Sequence, residues 1–472
     1  MYEFNVLPFG ICTAPFMFTK LMKPVVKLLR SCGFISSIYL DDLCLVGYTY
    51  QDCMQNIEAT QKLLLALGFI INGEKSNRIP SKSCNYLGFN IDTNKWRLSL
   101  PAQKRIRIKS ELQTIINLKC CKIRKFAKLL GLLVSACPAI EYGWLYTKQL
   151  ERCKFLNLQR SGDNYEAFMT VPQYLLPDLN WWVNAIDHSD HRIMNDNYVL
   201  EIFSDASKTG WGAACNGQTA SGRWSFSESL LHINLLELLA AYFALKIFAK
   251  GFYYCQIVLR IDNTTAVSYI NRMGRVKYPH LNKVTKDIWQ WCESQKIIIV
   301  ASYIKSKDNI IADRESRQTH PDVEWELTNL GYQKLRAKFP APQIDLFASR
   351  INSKCDKFVS WYSDPDAFAI DAFTLNWSQY LFYAFPPCAV ILKALRKIVV
   401  DKAEGIMVVP YWPTQPWYPL FMRLLKSDLV KLNSNDVVIP CSSNGNIRTN
   451  ITLVAGVLSG LHCYSDACQS QP

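Results

Sequence analysis

The sequence predicts a multidomain α/β protein, and three observations lead there. The chain has 472 residues, which at ordinary domain sizes means about three domains. Its composition, 49% hydrophobic and 19% charged, is that of a folded chain and excludes a largely disordered one. Strand-like and helix-like apolar periods alternate over residues 1–100 and again from Val199 onward, with no internal repeat.

The formal net charge is +14 and the pI about 9.0, a balance that suits a polyanionic partner, nucleic acid ahead of membrane. The 17 cysteines show no C-x-x-C spacing, and Cys120 and Cys121 are adjacent. Reduced thiols in a cytoplasmic or nuclear protein are therefore expected. The opening MYEFNVLPFG lacks the basic and apolar regions of a secretion signal, and no apolar run reaches about 20 residues. Neither secretion nor a membrane span is expected.

Within residues 1–100, APFMFTKLMKPVVKLLR has helical spacing, with Phe18, Leu21, Met22, Val25, Val26 and Leu29 on one side. FISSIYL and LCLVGYT read as strands hinged at Asp41 and Asp42. DCMQNIEATQKLLLALGF reads as a second helix closed by Gly68, and CNYLGFNID with KWRLSLP as a further hairpin. Residues 101–197 turn helical and basic. Lys104, Arg105, Arg107, Lys109, Lys119, Lys122, Arg124, Lys125 and Lys128 crowd residues 104–128, where Glu111 is the one acid, which suits either a solvated face or phosphate contact.

Residues 198–318 read as strand, strand, helix, strand, helix, strand, helix, a compact α/β domain. Residues 319–340 read as a polar linker or short helix, 341–440 as a last α/β unit, and 441–472 as a loosely ordered polar tail. The cluster Tyr411, Trp412, Trp417 and Tyr418 is expected in a core.

Two constellations carry chemistry. In ISSIYLDDLCLVG, Ile35–Gly47, two adjacent carboxylates interrupt a run that otherwise reads as a buried strand. Burying an unpaired carboxylate is costly, so the pair is either a solvated turn or a cation site. The second constellation is four acids on four core elements: Asp205 in FSDAS and Asp262 in LRIDN at strand ends, Glu237 in NLLELLA on a helix, and Asp313 in IIADRESR at a helix start. A single acid at a strand end or helix start ordinarily caps backbone N–H groups. Glu237 is different, because Leu235, Leu236, Leu238 and Leu239 around it are all apolar. Carboxylates are the hard oxygen ligands that Mg²⁺ takes.

The ordered stretches LPFG-x3-AP, Y-x-DD, GF-x2-N-x2-KS and YLGF resemble the second half of a retroelement reverse transcriptase palm. That resemblance implies that Asp41 ligates Mg²⁺ and Asp42 supports it. It also implies that Tyr39 lines the primer side, that Leu7, Pro8, Phe9 and Gly10 shape the template and nucleotide floor, that Lys75 lies near the incoming triphosphate, and that Tyr86–Phe89, with Gly88 among them, grip the primer. The family also has a further Asp on a strand upstream of LPFG, and this chain starts only a few residues before that stretch. Weak or no polymerase activity is the expectation.

Residues 198–318 resemble RNase H. The resemblance implies that Asp205, Glu237, Asp262 and Asp313 hold two Mg²⁺ (or Mn²⁺) ions for cleavage of RNA in an RNA–DNA hybrid, with Asn309 and Arg314 contacting substrate. The loop ASYIKSKDN holds Tyr303 and Lys305 and no His, where many RNases H have one. An integrase-type domain fits less well, since its three acids leave no place for Glu237.

The order palm, basic helical connection, RNase H is that of a retroelement Pol. DASKTGWGA and INLLELLA look most like the DIRS group, with gypsy-like elements the near alternative. The tail, with FPPC at Phe385–Cys388 where phage-type DNA adenine methyltransferases have (Asp/Asn)-Pro-Pro-(Tyr/Phe), resembles such an enzyme in degenerate form, with Asp345 on its cofactor strand and no methyl transfer expected. The fold class is then α/β multidomain: partial reverse transcriptase palm, helical connection, RNase H-like domain and degenerate methyltransferase-like domain. The implied partners are RNA–DNA hybrid, template–primer and other proteins of the element. The rival reading is an inactive nucleic-acid-binding remnant.

Overall fold

The structure is a computed structural model that describes residues 10–188, 190–193, 197–318, 326–433, 436–438 and 452–461. Leu7, Pro8 and Phe9 lie outside the described residues, as does most of the stretch beyond 438. The chain divides into two compact units, 1–196 and 197–472.

The first unit opens with α1 (Ala14–Ser31), followed by the antiparallel hairpin β1 (Ile35–Tyr39) and β2 (Asp42–Val46), and by α2 (Tyr50–Ala66). Thr49 caps α2 through a reciprocal bond with Asp52, satisfying two N-terminal donors. Met22, Val25 and Leu29 of α1 pack with Leu64 of α2 and with Ile38 and Leu43 of the hairpin. Leu21, expected on that apolar side, is 59% exposed: it falls at the margin of the stripe, outside the contact with α2. Asn56 is buried on α2, and its amide donates to the carbonyls of Ile35 at 2.9 Å and Val46 at 3.1 Å, the first and last paired residues of the hairpin.

β3 (Ser83–Tyr86), β4 (Phe89–Asp92) and β5 (Arg97–Ser99) form a meander. It is followed by α3 (Ala102–Asn117), β6 (Cys120–Lys122), α4 (Ile123–Val134), α5 (Lys148–Arg160), β7 (Phe168–Thr170), α6 (Leu176–Asp187) and β8 (His191–Arg192). The basic residues here are less free than the local sequence implies. Lys109 pairs with Asp187, Lys128 with Glu111, and both Lys122 and Arg124 with Glu166. Glu166 and Asp187 are remote in sequence from the cations they meet.

The second unit holds two five-stranded sheets. In the first, the order is β11–β10–β9–β12–β13, built from β9 (Leu200–Ala206), β10 (Gly210–Cys215), β11 (Gln218–Arg223), β12 (Gln256–Ile261) and β13 (Ile298–Tyr303). β9, β10 and β11 run antiparallel, while β9, β12 and β13 are parallel. β11 is absent from the sequence reading. It is delivered by a two-residue turn at Asn216 and Gly217, both at positive φ, the turn that strand twist favours. α7 (Phe226–Ser229) and α8 (Ile233–Phe248) follow β11. α9 (Thr264–Asn271) and α10 (Pro279–Gln295) fill the crossover from β12 to β13, and α11 (Ile310–Arg317) closes the domain. α10 was also missing from the sequence reading, although Pro279 sits at its N-terminal turn and Ile288, Trp289 and Cys292 face inward.

The second sheet has the order β15–β18–β19–β22–β20. Residues expected as a linker or short helix form β14 (Glu326–Leu327) and the short helix α12 (Asn329–Arg336). Leu327, Leu335 and Phe339 are buried against Tyr383, Phe385 and Ile406, which is why this stretch folds. β15 (Ile344–Asp345), β16 (Val359–Ser360), β17 (Ala369–Ile370), β18 (Phe382–Ala384), α13 (Ile391–Asp401), β19 (Glu404–Pro410), α14 (Tyr418–Leu424), β20 (Val430–Leu432), β21 (Val437–Val438) and β22 (Leu453–Ser459) follow. β15, β18 and β19 are parallel, and β22 runs antiparallel between β19 and β20. β22 lies within the expected polar tail. Every residue of LVAGVLS is buried, as a continuous apolar run at the centre of a sheet should be. Trp417 is buried, whereas Tyr411 and Trp412 are exposed, so the aromatic cluster is only partly core. Among the described residues no helix is long and apolar enough to cross a membrane.

Candidate metal centre

β9 and β12 are parallel neighbours, so their C-terminal ends lie side by side. Asp205 is the penultimate residue of β9, and Asp262 follows the last residue of β12. Ligand sites of α/β sheets form at such strand ends. α8 brings the third acid. Its buried Leu235, Leu236 and Leu238 seat it on the sheet and leave Glu237 beside β9. One carboxylate oxygen from each of Asp205, Glu237 and Asp262 lies within 4.8 Å of the others, close enough to share one cation.

This arrangement resists charge. Asp205 and Glu237 are each 4% exposed. Burial, and then the charges of Asp205 and Asp262, push Glu237 up to about 9 against the N–H of Ala206 that favours its anion. Glu237 Oε2 is buried with no hydrogen-bond partner. Burial also raises Asp205, opposed by the Ser316 hydroxyl and reinforced by Asp262 and Asp313. A buried acceptor without a donor, facing two further carboxylates, is the environment a hard divalent cation satisfies. The donor set fits Mg²⁺ or Mn²⁺.

Asp313 stands apart from the three. It lies in the first turn of α11, where Arg317 binds its Oδ1 through Nε at 2.9 Å and Nη2 at 2.7 Å. The expected set of four is thus three convergent acids and a neighbour engaged elsewhere, because an arginine one helical turn on competes for it. Asn309 is also displaced from its expected role. It is 2% exposed, and its amide donates to the Ser204 carbonyl at 3.0 Å, so it ties α11 to β9 and is not presented to a substrate. Arg314 is largely exposed, with its guanidinium 3.4 Å from Glu315.

Three residues outside the sequence reading shape the site. Ser306 Oγ donates to Asp262 Oδ2 at 2.6 Å from the loop that lacks a histidine. Ser316 Oγ donates to Asp205 Oδ2 at 2.7 Å. Gly212, paired with Asp205 across β9 and β10, lets α11 sit directly on the sheet: a Cβ there would collide with the Ala312 carbonyl and the Ser316 nitrogen. A glycine inside a strand pattern signals such an approach. The serines carry no comparable signal.

In the first unit, Asp41 and Asp42 sit at the tip of the β1–β2 hairpin, and both are exposed. Tyr39 pairs with Asp42, and Leu40 takes positive φ in the turn. The premise of a buried carboxylate pair is therefore corrected: the strands are half-buried, and both acids are exposed. Among the described residues no third His, Cys, Asp or Glu ligand joins them. Gly10 is exposed ahead of α1, Lys75 is exposed on a loop, and Gly88 is exposed in the turn between β3 and β4.

Parts of the chain are similar to known proteins. Residues 1–91 match the family of reverse transcriptases (RNA-dependent DNA polymerases). More particularly, the chain is 26% identical over 249 residues to Protein P of hepatitis B virus genotype E, covering 51% of this chain and 27% of that protein. It is 24% identical over 346 residues to the enzymatic polyprotein of cauliflower mosaic virus, covering 67% of this chain and 46% of the polyprotein. The chain thus spans less than half the length of these relatives. Solved structures similar to it include a foamy viral protease–reverse transcriptase in complex with RNA/DNA hybrid (19% identity, 62% of this chain, 38% of that one, TM-score 0.34). Another is RNase H1 of Halobacterium salinarum (18% identity, 25% of this chain, 92% of that one, TM-score 0.21).

Proposed function

We propose that residues 197–318 form a divalent-metal-dependent nuclease that cuts the RNA strand of RNA–DNA hybrids, within a retroelement polymerase chain. The observation that carries this reading is the convergence of Asp205, Glu237 and Asp262 from two strand ends and one helix. Those three would hold Mg²⁺ or Mn²⁺, which when bound supplies Lewis acidity for phosphodiester hydrolysis by water. The chain's own residues prepare the place. Ser316 and Ser306 fix the rotamers of Asp205 and Asp262, and the buried sheet keeps the carboxylates from relaxing apart. Asp313 adds its charge from the first turn of α11, and the exposed Arg314 suits phosphate contact. A hybrid would be read by its shape and 2′-hydroxyls.

Residues 1–91 would be the polymerase part, with Asp41 and Asp42 as metal ligands and Tyr39, Pro8, Phe9, Gly10, Lys75 and Gly88 along the template–primer. Among the described residues no third His, Cys, Asp or Glu ligand stands beside these two exposed carboxylates, and weak polymerisation by this chain is the reading we favour. The second sheet, with a parallel β15–β18–β19 run and an antiparallel β22, is compatible with a methyltransferase-like fold. Phe385, where a polar acceptor would be needed, is buried in the core, which supports loss of methyl transfer. A DIRS-type element, with gypsy-like next, remains the lineage we favour.

The test is incubation of a labelled RNA–DNA hybrid with wild type and Asp262→Asn in Mg²⁺. Cleavage by wild type and its loss in the variant support the reading. Hybrid binding at low salt with no cleavage by either form would replace it with the inactive binding remnant.

A further inference from the structure

Arg350 lies beyond β15, outside the acidic cluster, yet it grips the elements that build the cluster. Its guanidinium donates to both carboxylate oxygens of Glu228 at 2.8 Å, and Nη2 also donates to the Arg223 carbonyl at 3.0 Å. The same plane lies 4.5 Å from the ring centroid of Phe243, on α8. Burial would push Glu228 up, but the hydrogen bonds and charge of Arg350 outweigh it and hold Glu228 below its ordinary value. Both partners are therefore charged, and their forked geometry is one that lysine does not reproduce.

The grip extends along α8. Lys246 pairs with Asp366 at 2.7 Å, and Lys250 donates to the Ala367 carbonyl at 3.4 Å. Asp364 Oδ2 accepts from the Arg350 N–H at 2.9 Å, tying the two ends of the 350–367 segment together. Inward, Phe243 packs edge-on to Trp211, with 5.5 Å between ring centroids. Trp211 precedes Gly212, the residue opposite Asp205. Arg350 thus touches α7, the end of β11 and, through Phe243, α8, which carries Glu237; Phe243 in turn meets Trp211 of β10, the strand that pairs with that of Asp205.

We propose that segment 350–367 braces α8, and that Arg350 is a positioning residue that holds Glu237 in register with Asp205 and Asp262, so that the C-terminal lobe sets the metal affinity of the acidic cluster. This rests on the metal site proposed above. Arg350 touches none of the three acids. Its effect passes through Glu228, Phe243 and the axis of α8.

The experiment uses the full chain as wild type, Arg350→Met and Arg350→Lys, with Mn²⁺ binding read by electron paramagnetic resonance and hydrogen exchange read over residues 233–248. Folding is checked by circular dichroism. The brace predicts that Arg350→Met binds Mn²⁺ measurably more weakly than wild type, by less than the ~10-fold that loss of a group bonded directly to a ligand costs, with faster exchange in 233–248. Arg350→Lys should recover part of the loss. A folded Arg350→Met variant with wild-type Mn²⁺ affinity overturns the proposal and reduces Arg350 to a structural tie. If the Met variant does not fold, unchanged affinity in Arg350→Lys overturns it equally. If wild type itself binds no Mn²⁺, the metal-site reading fails on its own, and unchanged exchange over 233–248 in the variants then overturns the brace.

Discussion

The Ser316 hydroxyl donates to Asp205 Oδ2 at 2.7 Å, joining α11 to the end of β9 across 111 residues of sequence. The same hydroxyl lies 2.9 Å from the Asp313 carbonyl within its own helix. Ser316→Ala leaves the helix intact and frees the Asp205 carboxylate to rotate. The expected result is metal affinity about tenfold weaker, measured as the Mg²⁺ concentration giving half-maximal hybrid cleavage, with thermal stability little changed.

Gly212→Ala tests how α11 reaches the sheet. The added methyl group meets backbone atoms of Ala312 and Ser316, which cannot swing away as a side chain would. α11 must shift, carrying Ser316 and Asp313 with it. The variant should lose about 1–3 kcal/mol in denaturant unfolding, the ordinary cost of overpacking, and lose cleavage more than Ser316→Ala does.

The buried acids make stability depend on pH in a defined direction. Glu237 moves from 4.5 to about 9 on folding, so the folded state holds a proton that the unfolded state has released. Without divalent metal, stability is therefore greatest below about pH 4.5 as far as this group is concerned, and falls as pH rises toward 9. Each unit of upward displacement corresponds to about 1.4 kcal/mol, an upper scale for a group coupled to two others. Glu237→Gln should flatten the slope between pH 5 and about 9, measured by chemical unfolding in a chelator. Adding Mg²⁺ to wild type should flatten it as well, because cation and proton compete for the same oxygen.

Asn56 tests the hairpin of the first unit. Its amide satisfies the carbonyls of Ile35 and Val46, and Thr60 Oγ1 donates to its Oδ1 at 3.2 Å. Asn56→Ala leaves these groups without their partner, at a cost of about 1–3 kcal/mol. Amide exchange should accelerate first in 35–46, where Asp41 and Asp42 are carried.

Much of this is legible in the sequence, and what is not has physical reasons. Glu237 stood out because a lone acid among four leucines has no bland explanation, and Asp205 and Asp262 because strand patterns end at them. The engagement of Asp313 by Arg317 was not legible, since an i,i+4 pair on a helix is common and its competition with a metal site depends on geometry. Asn309 was misread because its burial depends on how α11 docks. β11 was missed although Asn216–Gly217 is a strong hairpin signal, since QTASGR has weak strand propensity. β22 was missed because a polar stretch on either side hid seven apolar-to-small residues. The ion pairs of Lys109, Lys122 and Arg124 are not legible in sequence, since their partners Asp187 and Glu166 come from distant segments.

The central claim is that Asp205, Glu237 and Asp262 hold a divalent cation. Diffraction from crystals grown in Mn²⁺, collected near the manganese edge, tests it most directly. The account predicts an anomalous peak bounded by oxygens of all three residues, lost in Asp262→Asn. A fully ordered site in Mn²⁺ with no peak there, or with a peak that Glu237 does not touch, would contradict it.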